Sequence, residues 1–193
     1  MNIFTTNDCP IISAQEMCDK HVVKMIVEYA QLMSTAHRVL DGQEYYDKTK
    51  AGRRIKRWLH PDEYLEKILY KASHIKHPSG IWCRTSTGNY TWLYNHFIAA
   101  CNEYKYRYGK THLTFTKLAD IFITPPKHLT NGPRTEFAVA ISPDQKCRQI
   151  PGFEKLSPVD KYKQYIIYDK PFAVWSKRQP PPWLRTEFIA NKS

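Results

Sequence analysis

No apolar run in these 193 residues approaches the roughly 18 that a membrane-spanning helix needs, so no membrane partner is expected. The chain does not open with a charged stretch followed by an apolar core, so no secretory leader is expected either. The five cysteines, Cys9, Cys18, Cys83, Cys101 and Cys147, are odd in number and widely spread, with no CxxC or Cys/His pair at zinc spacing. That argues against a disulfide framework and gives no indication of a structural metal, so no metal and no cofactor is expected. There is no glycine-rich phosphate loop and no strand–helix alternation that would signal a βαβ unit. These absences leave a cytoplasmic protein with reduced thiols.

Carboxylates are also in the minority. Lys and Arg number 29 against 18 Asp and Glu, a formal net charge of +11 that favours a polyanionic partner, with nucleic acid first. Four segments interleave cations with aromatics: KAGRRIKRW at 50–58, with Arg53 and Arg54, YKYRYGK at 104–110, KYKQYIIYDK at 161–170 and WSKRQPPPWLR at 175–185. Such stretches read as phosphate-tracking surfaces with stacking platforms.

What is present in quantity is helical pattern. SAQE at 13–16 matches a capping box, with Ser13 as N-cap, for a helix running to about residue 40, where Asp41 and Gly42 stop it. The basic stretch that follows reads as a loop or frayed helix, and Pro61 starts a short amphipathic helix over 61–72. Longer helices are expected at 86–108, ended by Gly109, at 114–122, and from Ser157 with Pro158 at its first position. The expected fold is all-α, a compact single-domain helical bundle over 1–185 with an irregular insertion around 112–156 and a loose tail at 186–193.

The first long helix carries the chemistry. It is mostly apolar, yet His21, Lys24, Glu28 and Gln31 interrupt it at offsets of zero, three, seven and ten, one narrow file at 3.6 residues per turn. His21 titrates near neutrality and suits acid–base work. Lys24 suits a phosphate, and Gln31 a base edge or sugar hydroxyl. A polar strip this narrow is expected to line a solvated cleft, since burying its members singly would cost on the order of 1–3 kcal/mol each. A second cluster, at 74–97, gathers His77, Trp82, Arg84, Asn89 and Tyr90, aromatics to stack on bases and an arginine to grip phosphate.

The order of these motifs, DKHVVKM, an HP turn, NYTWLYNHFIAACNEYKYRYG and a C-terminal W-S-K-R…P-P-W, resembles the phage-encoded relatives of the pyrimidine-dimer DNA glycosylases. The resemblance covers residues 1 to about 111 and is weaker at the C-terminus. It implies a small helical fold in which the N-terminal α-amino group attacks the sugar C1′ beside a catalytic Glu on the first helix, with two flanking arginines on phosphates. Laid onto this chain, that pattern falls on Lys20, His21 and Lys24, with His21 where the family has Glu.

The implied roles follow. His21 would be general acid/base, oriented by Asp19 or Glu28, and Met1 or a water the nucleophile. Lys20, Lys24 and Arg84 would clamp phosphates, and Trp82 or Tyr90 would flank an extruded nucleotide. Trp175, Lys177 and Arg178 echo the family's C-terminal aromatic cluster. The partner implied is duplex DNA with a damaged or modified base, bound by a monomer that cleaves the N-glycosidic bond, with or without AP-lyase activity. Two alternatives stand beside it: an enzyme acting on hypermodified bases or nucleotides with the same fold, and a non-catalytic DNA-binding or host-interaction protein.

Overall fold

A computed structural model describes residues 1–184; the expected tail at 186–193 lies outside them. Among the described residues the chain is mainly α, with one small sheet. Its first long helix arrives in two pieces, α1 (Pro10–Gln15) and α2 (Asp19–Asp41), parted at Cys18, whose backbone is extended. The capping box therefore does not form. Ser13 is buried inside α1, where its Oγ accepts from the Thr6 amide at 3.1 Å and donates to the Phe4 carbonyl at 3.0 Å. A serine hydroxyl satisfies whichever backbone groups lie near it, and here those belong to the N-terminal arm.

The centre of the molecule is α2 packed against α5 (Thr87–Tyr108), with α1 against the same α5. Tyr29, Met33, Leu93, Phe97 and Phe122 are fully buried between them. α5 starts where expected, the Ser86 hydroxyl accepting from the Asn89 amide at 3.2 Å, and ends at Gly109, whose φ of 67° is the left-handed cap that glycine adopts without strain. α6 (Leu113–Phe122) and the short α4 (Pro78–Cys83) complete the layer around α2.

The stretch expected to be loop or frayed helix is instead an antiparallel hairpin, β1 (Gln43–Lys48) with β2 (Arg54–Leu59), Gln43 facing Leu59 and Lys48 facing Arg54. Tyr45, Tyr46, Ile55 and Trp58 favour a pleated strand, and the charges between them hide the alternation. Gly42 lets the hairpin leave α2, because a Cβ there would sit 2.4 Å from the Arg38 carbonyl oxygen.

Arg38, only 3% exposed, also explains why the next helix is shorter than expected. α3 spans Glu63–Ile68, capped by the Asp62 carboxylate on the Leu65 amide. The Arg38 guanidinium collects the carbonyls of Trp58, Glu66, Leu69 and Tyr70 and pairs with the Glu66 carboxylate. Those carbonyls need no further helical turn.

Beyond α6 the chain runs without regular structure, apart from two 3₁₀ turns, until α7 (Pro158–Asp169), capped by Ser157 as expected. The long segment is nevertheless fastened. Gly88, whose Cβ would meet the Arg134 backbone at 2.3 Å, donates to the Gly132 carbonyl, and Phe137 and Ile141 reach the core.

Candidate active site

The N-terminal arm runs into a cleft between α2, α4 and α7. Asn2 fixes it there. The Asn2 amide donates to Glu28 Oε2 at 3.0 Å, its Nδ2 to the Ala140 carbonyl at 3.0 Å, and its Oδ1 accepts from the Tyr162 hydroxyl at 2.6 Å. One residue thereby ties together α2, the irregular segment and α7. The Met1 amine ends 3.8 Å from Glu28 Oε2, and Lys24 Nζ lies 3.4 Å from Glu28 Oε1.

The cleft has a volume of about 340 Å³ and is lined by Met1, Asn2, Phe4, His21, Lys24, Met25, Glu28, His77, Ala140, Ser142, Tyr165 and Lys170. That is within the range of small-ligand sites. Its one carboxylate is held between an amine and an ammonium, and Lys170 adds a second lysine at the rim, donating to the Tyr165 hydroxyl at 2.7 Å.

Three of the four residues in the polar file therefore share a cleft. Their surroundings differ from the expectation. His21 is 5% exposed, stacked on Phe4 at 4.3 Å between centroids and edge-on to Phe172 at 5.7 Å. Burial first, then the charges of Lys170 and Lys24, push its pKa down to about 4. It is a neutral ring at pH 7, with a buried Nδ1 that has no hydrogen-bond partner among the described residues. That is a poor proton donor. The acidic group beside the amine is Glu28, two turns further along the helix, because the arm enters over the middle of α2 and not at its start.

Gln31 leaves the file, donating to the Lys71 carbonyl at 2.6 Å. His77 reaches the cleft as the N-cap of α4, with Nδ1 accepting from the Ser79 amide. Burial, then the positive Met1 amine, holds its pKa below the ordinary value.

Several expected DNA contacts are structural instead. Trp82 is buried, its indole donating to the Glu136 carbonyl; Tyr90 is buried with its hydroxyl 2.9 Å from His37 Nε2. Asn89, fully buried, donates to the Trp82 carbonyl and to Thr135 Oγ1. None of the three is placed to flank an extruded nucleotide. Arg84 Nη2 is turned inward onto the Ile75 carbonyl.

Asp19 does not orient His21. Arg107 and Ser176 occupy its carboxylate, at 2.9 Å and 2.8 Å, and these partners hold its pKa below the ordinary value against the burial that would raise it. Trp175 donates to the Glu16 carbonyl, and Arg178 forks onto Glu103, so the C-terminal segment is clamped to the core through these side chains. Lys20 lies over the Phe172 ring, and Lys177 is exposed.

Arg53 and Arg54 stand exposed on the hairpin, where Arg54 stacks on Tyr46 at 3.6 Å. Sequence reasoning missed Asn2 as the clamp. Lys170 and Tyr165 lay within a segment read only as a general phosphate-tracking surface with stacking platforms.

The fold and cleft define a mainly α protein with an amine, a carboxylate and lysines gathered in one concavity. No family model, curated protein or solved structure matches the chain.

Proposed function

We propose that the protein is a DNA glycosylase-like enzyme that cleaves the N-glycosidic bond of a damaged or modified base, with its chemistry in the Met1–Glu28 cleft. The reading rests on one juxtaposition: an amine 3.8 Å from a partly buried carboxylate in a cleft rimmed by lysines, on a protein of net charge +11. In any form of the protein that begins at Met1, the amine attacks C1′ as the bond to the base breaks. The base departs with the bonding pair, and Glu28 takes the amine proton and offsets the positive charge that develops on the sugar. Where water attacks instead, Glu28 is its general base. His21 and Phe4, stacked ring on ring, form one wall of the cleft, and Lys24 and Lys170 meet phosphate.

Borohydride trapping tests the chemistry. Once Glu28 returns its proton to the ring oxygen and the C1′–O4′ bond opens, the amine–sugar adduct is an imine that borohydride reduces, so incubation with UV-irradiated duplex and with an abasic duplex is expected to yield a covalent adduct. Base release without an adduct assigns the nucleophile to water and keeps the glycosylase. Neither product on either substrate overturns the reading.

The hairpin supplies the electrostatic part. Lys48, Lys50, Arg53, Arg54, Lys56 and Arg57 stand on or beside it against Glu44 and Asp47, and a two-stranded ribbon fits the major groove of B-DNA. Arg53→Ala with Arg54→Ala should weaken duplex binding evenly across sequences. The log–log salt slope should flatten by roughly 0.9 for each phosphate that the two arginines neutralise. An unchanged slope in fluorescence anisotropy would place the DNA elsewhere.

A further inference from the structure

We infer that the far end of α2 carries a divalent transition-metal site, formed by His37, Asp41 and His60 and opening onto a second cavity of about 620 Å³. It is separate from the Met1–Glu28 cleft and plays no part in the chemistry proposed there. His37 and Asp41 lie four residues apart on one helix face, and the hairpin returns His60 to the same place at the end of β2. One ligand atom from each residue lies within 4.8 Å of the others. Tetrahedral zinc needs ligand atoms about 3.3 Å apart, given bonds near 2.0–2.1 Å, so modest side-chain rotations close the set.

Two of the three ligands, His37 and Asp41, keep their present hydrogen bonds on ligation. His60 is 6% exposed, and its Nε2 is buried with no hydrogen-bond partner among the described residues, an arrangement that needs a reason. His37 uses Nε2 on the Tyr90 hydroxyl, which leaves Nδ1 as its ligand atom. Asp41 Oδ1 accepts from the His128 amide and ring, both at 3.0 Å, and Oδ2 from the Lys127 amide at 2.9 Å. These donors fix the carboxylate and leave a lone pair on Oδ2.

One hydrogen bond must open. His60 Nδ1 accepts from the Asp62 amide at 3.1 Å, so ligation through Nε2 moves the ring proton to Nδ1 and releases that amide to solvent. A single neutral hydrogen bond is small beside two nitrogen bonds and one oxygen bond to a divalent ion.

The surroundings favour a cation. In a strongly basic protein this cavity gathers Asp41, Asp62 and Asp120 against Lys127. Two imidazoles and one carboxylate are the donor set of catalytic zinc and of mononuclear iron sites, which keep a coordination position open to water or substrate. Here the cavity supplies that opening.

The test uses the full chain, stripped with chelator and titrated with zinc chloride by calorimetry and with cobalt chloride by visible absorption. One equivalent should bind at micromolar affinity or tighter. The cobalt spectrum should show ligand-field bands of low coordination number without thiolate charge transfer, and the melting temperature should rise with metal. His60→Gln and Asp41→Asn should each weaken binding at least about 100-fold. No saturable binding by the wild-type chain overturns the site. So does a thiolate band, or binding that survives both substitutions in folded variants. The wild-type titration and spectrum decide the matter even if a variant fails to fold, and trapping at Met1 is read independently.

Discussion

Glu28→Gln is expected to lower single-turnover base release by about 10²–10⁴-fold, the range that a positioned acid–base carboxylate contributes, while duplex affinity stays the same or rises slightly. The glutamine carbonyl can still accept from the Asn2 amide, which now reaches Glu28 Oε2 at 3.0 Å, so the arm keeps its anchor. What disappears is the negative charge beside the Met1 amine and Lys24. In the ground state that loss makes the cleft more positive, which favours phosphate. In the transition state it removes the group that receives the amine proton and faces the developing positive charge on the sugar. Loss of rate with retained affinity is therefore the signature of a charge needed only during reaction. Activity within about threefold of wild type, with the same fold by circular dichroism, would show that Glu28 only holds the arm.

Met1 and Glu28 meet because residues far apart in sequence pack together, and that is why the sequence half-disclosed the site. The polar file on the first helix was legible because helical periodicity is local, and three of its four members do face one cleft. Which member lies beside the amine was not legible. It depends on where the arm crosses α2, and that is set by Asn2 bonding to Ala140 and Tyr162, 138 and 160 residues away.

The helix start at Ser86 and the caps at Gly109 and Ser157 were legible for the same local reason. The hairpin was not, since its strand formers are diluted by cations. Trp82, Asn89 and Tyr90 misled because an aromatic or amide that stacks on a base looks, in sequence, like one buried with its single polar group bonded. Asp19 misled likewise: it belongs to an interior ion network with Arg107 and Glu103, written in residues that are ordinarily exposed.

The second large effect is acid sensitivity. His21 and His96 both have pKa values pushed down to about 4, in each case chiefly by burial. His96 is wholly buried, its Nδ1 facing the Pro10 carbonyl at 2.8 Å and its Nε2 the Tyr29 hydroxyl at 3.0 Å. In the unfolded chain both rings titrate near 6.5. Between that value and about 4 the unfolded state binds protons that the folded state refuses, so stability is complete above pH 6.5 and is lost as the pH falls toward 4. Each ring accounts for about 3 kcal/mol at the acid end, at 1.36 kcal/mol per unit. Two together rival a typical domain stability of about 5–15 kcal/mol.

Unfolding free energies from urea titrations should therefore fall steeply between pH 6.5 and 4. His21→Leu separates the contributions, because leucine fills a similar volume without a titrating group. It should resist acid better than wild type by about 3 kcal/mol at pH 4, measured relative to pH 7. Parallel pH profiles for the two proteins would mean that the ring at position 21 is as free to protonate in the folded protein as in the unfolded chain. Its place between Phe4 and Phe172, away from water and beside two lysines, argues for divergence.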